Sequence, residues 1–301
     1  MKNVKKILII IMMTLVLTTG CTKSFRDEDT KKVYTENILC KPTDSESLKA
    51  YEENKNVKLD TLPSCEDLKV NSGGYEGLWT NIFVKPLAWL IVKVGLLVNN
   101  YGLSIILIGI ALRLLVFPLS KQTMDMSTNM QKANPELQRL EKKYLNRTDR
   151  DSLMAKNQEM LLIYKKYNIK PMSGCLVSLI QLPLFFAFLE AIQRIPAILE
   201  EKFIGLDLGT TPWQAITSGS YYYIIIVILI GLTTYFSFKN AGMSSMSEEQ
   251  AVQTKMMTRM MTVFIVFMSF TLNVGIGIYW ISSSAFAIIQ NIILKRIKSK
   301  N

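Results

Sequence analysis

The sequence predicts an all-α membrane protein whose mature chain crosses the bilayer five times. Three observations support this: long apolar stretches, a basic N-terminus that resembles an export signal, and an uneven distribution of Lys and Arg between the apolar stretches. Of the 301 residues 49% are hydrophobic, and they are gathered in runs rather than spread over one soluble core. The predicted transmembrane helices lie at about 102–119, 172–192, 221–238, 256–272 and 275–294.

The N-terminus combines basic residues, a short apolar stretch and a final Gly20-Cys21 pair. This pattern predicts a secretory signal peptide at 1–20, because the apolar stretch is too short for an ordinary span. Gly20-Cys21 resembles a bacterial lipoprotein processing site, which would make Cys21 the lipidated first residue of the mature chain. Thr18 stands where such sites usually carry Leu, so retention as a span and cleavage without lipid remain alternatives.

Residues 21–76 are polar, mixed in charge and poor in apolar periodicity, which predicts an exported, lipid-anchored tether that is mostly extended or weakly structured. Cys40 and Cys65 lie in this segment, where a disulfide is able to persist, but the sequence does not show whether they pair. Cys175 lies in an apolar span and is predicted to be a packing residue.

Residues 77–97 mix aromatic and aliphatic side chains with Lys85, Pro86 and Lys93. Aromatics interleaved with lysines are typical of a helix at the membrane surface, so we predict an interfacial amphipathic helix here. A full span is the weaker alternative, because the two lysines divide the apolar stretch.

The charged region 121–170 has apolar positions at helical spacing on either side of a polar break at 146–149. This spacing predicts a hairpin of two antiparallel helices that share a narrow apolar seam. Asn134-Pro135 has the form of an N-cap followed by proline at the first helical position, which predicts that the first hairpin helix begins there.

The loop charges predict the orientation of the chain. Eleven lysines and arginines lie between Lys121 and Lys170, and four more in the tail from Lys295 to Lys300. With the N-terminus outside the cell, the hairpin and the C-terminus fall in the cytoplasm.

Arg113 carries the only charge in the first predicted span. At about 1.5 Å of rise per residue it lies about 15 Å from Leu103, near the midplane of an apolar core about 30 Å thick. A guanidinium stays protonated there at a cost of at least about 2.5 kcal/mol, so such residues usually face a polar cavity and have a function. Snorkelling towards the cytoplasmic edge is the structural alternative.

Other chemistry is scarce. Without histidine there is no His-based triad or zinc site, no phosphate-binding loop or dinucleotide fingerprint stands out, and no cysteine spacing indicates a metal. The run 282–284 of three serines is interpreted as small-residue packing. We therefore expect no enzymatic activity, cofactor or metal.

Six motifs in order resemble the YidC/Oxa-type membrane protein insertases over roughly residues 77–297, and the signal peptide ending in cysteine resembles the Gram-positive, lipoprotein-type branch. The motifs are Ala111-Leu-Arg-Leu-Leu-Val-Phe-Pro118, Asn134-Pro-Glu-Leu-Gln-Arg-Leu-Glu141, Pro171-Met-Ser-Gly-Cys-Leu-Val-Ser-Leu-Ile-Gln-Leu-Pro183, Gly231-Leu-Thr-Thr234, Met256-Met257 and Ile278-Tyr-Trp-Ile-Ser282.

The resemblance implies that residues 98–301 form an insertase core in the bacterial cell membrane, in which Arg113 lines a hydrated groove open to the cytoplasm. It further implies that the groove attracts the polar exported part of a substrate. The partners implied are nascent membrane proteins, the Sec translocon, the ribosome, signal-recognition targeting factors and the lipid bilayer. The other candidate groove residues are Gln181, Thr233, Thr234, Tyr279, Trp280 and Gln290.

Two other classes of function remain open at this point. The chain could be a channel or small-solute transporter with Arg113 as an intramembrane anion site. It could also be a lipid-anchored scaffold that only assembles other membrane proteins. The cytoplasmic hairpin favours the insertase, because a channel does not need it.

Overall fold

The computed structural model describes residues 24–27, 33–54, 56–169, 171–240 and 248–299. The predicted signal peptide and Cys21 lie outside the described residues, and so does the side chain of Cys175. The predicted all-α class is confirmed: within the described residues the chain is mostly helical, and its strands form two short hairpins.

The helices follow one another with short connections. They are α1 Ser45–Glu53, α2 Lys85–Val98, α3 Tyr101–Leu115, α4 Phe117–Lys143, α5 Arg150–Lys166, α6 Pro171–Gln193, α7 Pro196–Leu199, α8 Pro212–Thr217, α9 Ile224–Asn240, α10 Glu248–Ser269 and α11 Val274–Ser299. Short 3-10 turns cover Leu59–Thr61 and Tyr221–Tyr223, and a π-helical turn over Thr80–Val84 precedes α2.

The described residues between 24 and 76 are folded, which corrects the prediction of a mostly extended or weakly structured tether. Strand β1, Ser24–Arg26, pairs antiparallel with β2, Val33–Thr35, and α1 follows. Phe25, Tyr34 and Tyr51 pack their rings 5.3 to 5.6 Å apart beside buried Ile38 and Ala50, and a disulfide joins Cys40 to Cys65. The sequence does not predict this core, because its few apolar residues are widely spaced and follow neither helical nor strand periodicity.

Arg194 and Lys85 attach this folded segment to helices α6 and α2. Arg194 is 1% exposed; its Nη1 lies 3.2 Å from Glu190, its Nη2 pairs with Glu76, and its Nε donates to the Asn37 carbonyl oxygen at 2.6 Å. Lys85, 2% exposed, lies 3.1 Å from Glu76, and Trp79 Nε1 donates to Glu190. Two buried cations therefore share two carboxylates, so each charge is compensated as burial requires.

In the part of the chain that the structure describes, three helices are long and apolar enough to cross a membrane: Thr80–Val98, Tyr221–Lys239 and Val274–Ile297. A fourth results if the bent pair α3 and α4 counts as one span. The predicted total of five stays a prediction. The surface position of the helix at 77–97 also stays a prediction, since Thr80–Val98 has the length and composition of a full span.

Helices α4 and α5 form the predicted hairpin. Ala133, Leu137 and Ile169 form its buried seam, and the ion pairs Glu136–Lys166 and Lys143–Glu159 fix the antiparallel register. The hydrogen bond from Lys166 holds the pKa of the Glu136 carboxyl below its usual value of 4.5. A carboxyl pKa that is lower in the folded state stabilises the hairpin above pH 4.5. This contribution is lost as the pH falls through the lowered pKa.

The predicted helix start at Asn134-Pro135 is wrong, because Pro135 lies inside α4, which begins at Phe117. Proline removes one backbone hydrogen bond from a helix interior. The seam residues Ala133 and Leu137 flank it and pack in the hairpin core, and this burial offsets the loss.

Replacing Arg194 by Ala is predicted to release the folded segment 24–76 from α6. The change leaves Glu76 and Glu190 without their shared cation, at a cost of about 3 kcal/mol, the lower end for breaking a buried pair because Glu76 is partly exposed. Thermal unfolding and protease cleavage within 24–76 measure the effect in detergent. Lys202→Ala, an exposed charge in the short strand that follows α7, is the control, and equal behaviour of the two variants would contradict the account.

Candidate functional site around Arg113

Arg113 lies in the last turn of α3, next to a break in the helix. The apolar stretch predicted as one span at 102–119 is divided at Val116, and α4 leaves at 56° to α3. Pro118 occupies the first turn of α4, where its missing N–H is not needed, and it disfavours a continuous helix through the preceding residue. The sequence thus places the arginine one turn before a proline-induced bend.

The guanidinium of Arg113 is half-buried and is held by a serine. Its Nε donates to Ser283 Oγ at 2.7 Å, and Ser283, on α11, is 4% exposed. A hydrogen bond from a charged donor is worth about 1.5–3 kcal/mol, more than a bond between neutral groups. The hydroxyl satisfies one donor of the guanidinium without cancelling its charge.

Three more predicted groove residues belong to the same compact unit as Arg113, namely Thr233, Thr234 and Gln290. Thr233 Oγ1 donates to the Leu229 carbonyl oxygen of its own helix at 2.7 Å, and Thr234 is 2% exposed. Gln290 is 6% exposed, and its Nε2 has no hydrogen-bond partner in the part of the chain that the structure describes. Leaving a buried amide unpaired costs about 1–3 kcal/mol, so Gln290 is a candidate donor to a polar ligand.

The remaining candidates, Gln181, Tyr279 and Trp280, belong to the other compact unit. Tyr279 is 3% exposed and stacks on Phe188 with ring centroids 4.0 Å apart. Trp280 is half-buried and meets Phe185 edge-on at 4.9 Å. Gln181, on α6, is half-buried. The aromatic pair therefore has a packing role that the sequence did not distinguish from a groove role.

Sequence reasoning missed Ser283. The serine run at 282–284 is typical of small-residue packing, but the Ser283 hydroxyl accepts from the one charge of α3. The sequence does contain a signal for this contact, because a guanidinium in an apolar helix needs acceptors and α11 carries three consecutive serines. The sequence alone does not predict the contact, because it does not show that α3 and α11 are neighbours.

The polar groups on α3 and α11 determine what this site is able to bind. Among the described residues no group of three or more His, Cys, Asp or Glu side chains is placed to hold a metal ion. A permanent cation, an accepting hydroxyl and a buried amide donor together provide electrostatic attraction and hydrogen bonds for a polar or acidic chain segment.

The sequence profile of the family described as 60Kd inner membrane protein matches residues 93–301. Curated relatives include the membrane protein insertase YidC of Oceanobacillus iheyensis, 31% identical over 73% of this chain and 85% of that protein. The YidC insertase of Alkalihalophilus pseudofirmus is 36% identical over 71% and 81%, and the insertase MisCA of Bacillus subtilis is 34% identical over 72% and 79%.

A solved structure described as an active YidC insertase with its first transmembrane domain resolved has the same fold. Its TM-score is 0.53 at 24% identity, and the match covers 81% of this chain and 51% of that longer one. With the apolar helices, these matches show a multi-pass membrane protein. The extent and identity of the matches show that this chain belongs to the 60Kd inner membrane protein family of YidC-type insertases.

Proposed function

We propose that this protein inserts membrane proteins into the bilayer and assists their folding, without covalent chemistry. The single observation that carries the proposal is Arg113: a half-buried permanent cation in an otherwise uncharged apolar helix, anchored through Nε to Ser283. The relatives named membrane protein insertase support this assignment.

The proposed mechanism uses the charge to shorten the apolar path of a polar segment. The cost of moving a charged side chain to the bilayer centre is about 2.5–3.5 kcal/mol on insertion scales. A fixed cation with water around it, halfway through the bilayer, offers an acidic segment a compensating partner along the way. The apolar part of the substrate meanwhile slides along exposed aliphatic side chains of α9, which include Ile225, Ile228 and Leu232.

We propose distinct roles for the other groove candidates. Gln290, whose buried Nε2 has no partner among the described residues, would donate a hydrogen bond to a passing backbone carbonyl or carboxylate. Thr233 and Thr234 would give α9 a polar stripe, and Gln181 would do so for α6. Tyr279 and Trp280 would form a rigid aromatic wall, as their stacking on Phe188 and Phe185 supports.

The orientation and partners are also proposals. We place the N-terminus outside, anchored by lipid on Cys21, and the hairpin and C-terminus in the cytoplasm, where they would meet nascent chains, the ribosome and targeting factors. The protein would act alone or beside the Sec translocon. The mass of the mature N-terminus tests the lipid, since diacylglycerol on Cys21 is expected.

Replacing Arg113 by Ala is predicted to impair insertion of a single-span substrate with an acidic exported tail by about tenfold or more. Arg113→Lys should preserve much of the activity, because the positive charge survives. Neutralising the tail should make the substrate less sensitive to Arg113→Ala, since the two charges are coupled. Insertion into proteoliposomes at matched protein levels is the measurement.

The neutral-tail substrate separates attraction of charge from a structural role of Arg113. Equal loss for acidic and neutral tails would assign Arg113 to helix packing or hydration. Full activity of Arg113→Ala on every substrate would leave it as a snorkelling side chain.

The proposed orientation predicts opposite labelling of two exposed positions. A cysteine at Thr148, between the hairpin helices, should be protected from an impermeant thiol reagent in intact cells, and one at Lys202 should react. Both sites should react after the membrane is permeabilised. Labelling at Thr148 from outside would overturn the orientation.

A further inference from the structure

We infer that Ser283 is a positioning residue for Arg113: its hydroxyl fixes the plane in which the guanidinium meets a substrate. The inference rests on the proposed function, because Ser283 would act on the substrate only through Arg113. It names a residue that neither the motifs nor the chemistry of the sequence assigned.

The contact has the geometry of a strong bond. Arg113 Nε and Ser283 Oγ are 2.7 Å apart, at the short end of the range for a charged N–H donor and a neutral oxygen acceptor. Ser283 is almost fully buried, so bulk water does not compete freely for the hydroxyl. The bond joins α3 to α11, which are far apart in sequence and contribute these two side chains to one compact unit.

Holding Nε has a different consequence from holding the end of the side chain. The guanidinium is planar, and Nε lies at its inner corner, so a bond there fixes the plane while Nη1 and Nη2 form the outer edge. That edge can bind a carboxylate with two parallel hydrogen bonds, whereas the alternative pair formed by Nε and one Nη is engaged through Nε by Ser283. Ser283 therefore acts on the orientation of the Nη1–Nη2 edge through Nε.

A neutral acceptor suits this role better than a carboxylate. An Asp or Glu on Nε would neutralise the cation and reduce its attraction for an acidic segment. A serine hydroxyl accepts the hydrogen bond and leaves the charge in place. Serine is also small enough to let two helices approach closely.

The neighbouring serines provide a matched control. Successive residues of a helix are rotated by about 100°, so Ser283 and Ser284 face different directions from α11. Both are buried, at 4% and 7% exposure, and both lose the same hydroxyl on replacement by Ala. A general requirement for hydroxyls or small residues in α11 would affect both, whereas positioning of Arg113 requires Ser283.

The test is a double-mutant cycle measured by insertion of the acidic-tail substrate into proteoliposomes. Ser283→Ala should slow insertion about fivefold in the chain with Arg113, and Ser283→Thr, which keeps an acceptor oxygen, should retain most of the rate. In the Arg113→Lys chain the effect of Ser283→Ala should fall below about twofold, because lysine has no Nε and no plane to fix. Ser284→Ala should leave the rate unchanged.

Several results would overturn the inference. An equal effect of Ser283→Ala in the Arg113 and Lys chains, or an equal effect of Ser284→Ala, would make Ser283 a packing residue. Full activity of Ser283→Ala together with strong impairment by Arg113→Ala would overturn the inference and leave the proposed function standing. Full activity of Arg113→Ala on every substrate would overturn both. Immunoblots and thermal unfolding in detergent separate these effects from loss of protein.

Discussion

A guanidinium inside an apolar helix is the constraint on which the site depends. Arg113 cannot lose its proton, so the surrounding structure has to supply acceptors or water. Ser283 supplies one acceptor at 2.7 Å, and the proline bend at the end of α3 lies one turn away. Under the proposed function, an acidic segment of a substrate would add an anionic partner to this cation during insertion.

The two arginines described in detail illustrate two ways of burying a cation. Arg194 is 1% exposed and is compensated by Glu76 and Glu190, an arrangement that fixes the folded segment 24–76 to α6. Such a fully compensated pair is costly to break and suits a structural role. The hydroxyl beside Arg113 leaves the positive charge in place, which suits attraction of a passing anionic group. We propose that Arg194, almost fully buried between two carboxylates, has a structural role, and that the half-buried Arg113 serves substrate binding.

The sequence predicted the helical class and the hairpin, and it singled out Arg113, because each has a strong local signal: long apolar runs, helical spacing of Leu and Tyr, and one charge in an apolar run. It failed where the answer depends on contacts between distant residues. The core around Tyr34 and Tyr51 has no period, the Cys40–Cys65 pairing cannot be read from spacing, and the serine that holds Arg113 lies on a helix far away in sequence. The helix start predicted at Asn134-Pro135 was wrong, because packing of Ala133 and Leu137 in the hairpin outweighs the local preference for a helix start.

The most direct test of the central claim places a cysteine at Arg113, in a chain with Cys175 replaced by Ser. The account predicts that membrane-impermeant methanethiosulfonate reagents react with it in inverted vesicles, where the cytoplasmic side is accessible, and not in intact cells. It also predicts that a cationic reagent restores insertion of the acidic-tail substrate and that an anionic reagent of similar size does not, because only the first returns the positive charge. An unreactive thiol on the cytoplasmic side, or equal recovery with both reagents, would contradict a hydrated, charge-dependent site.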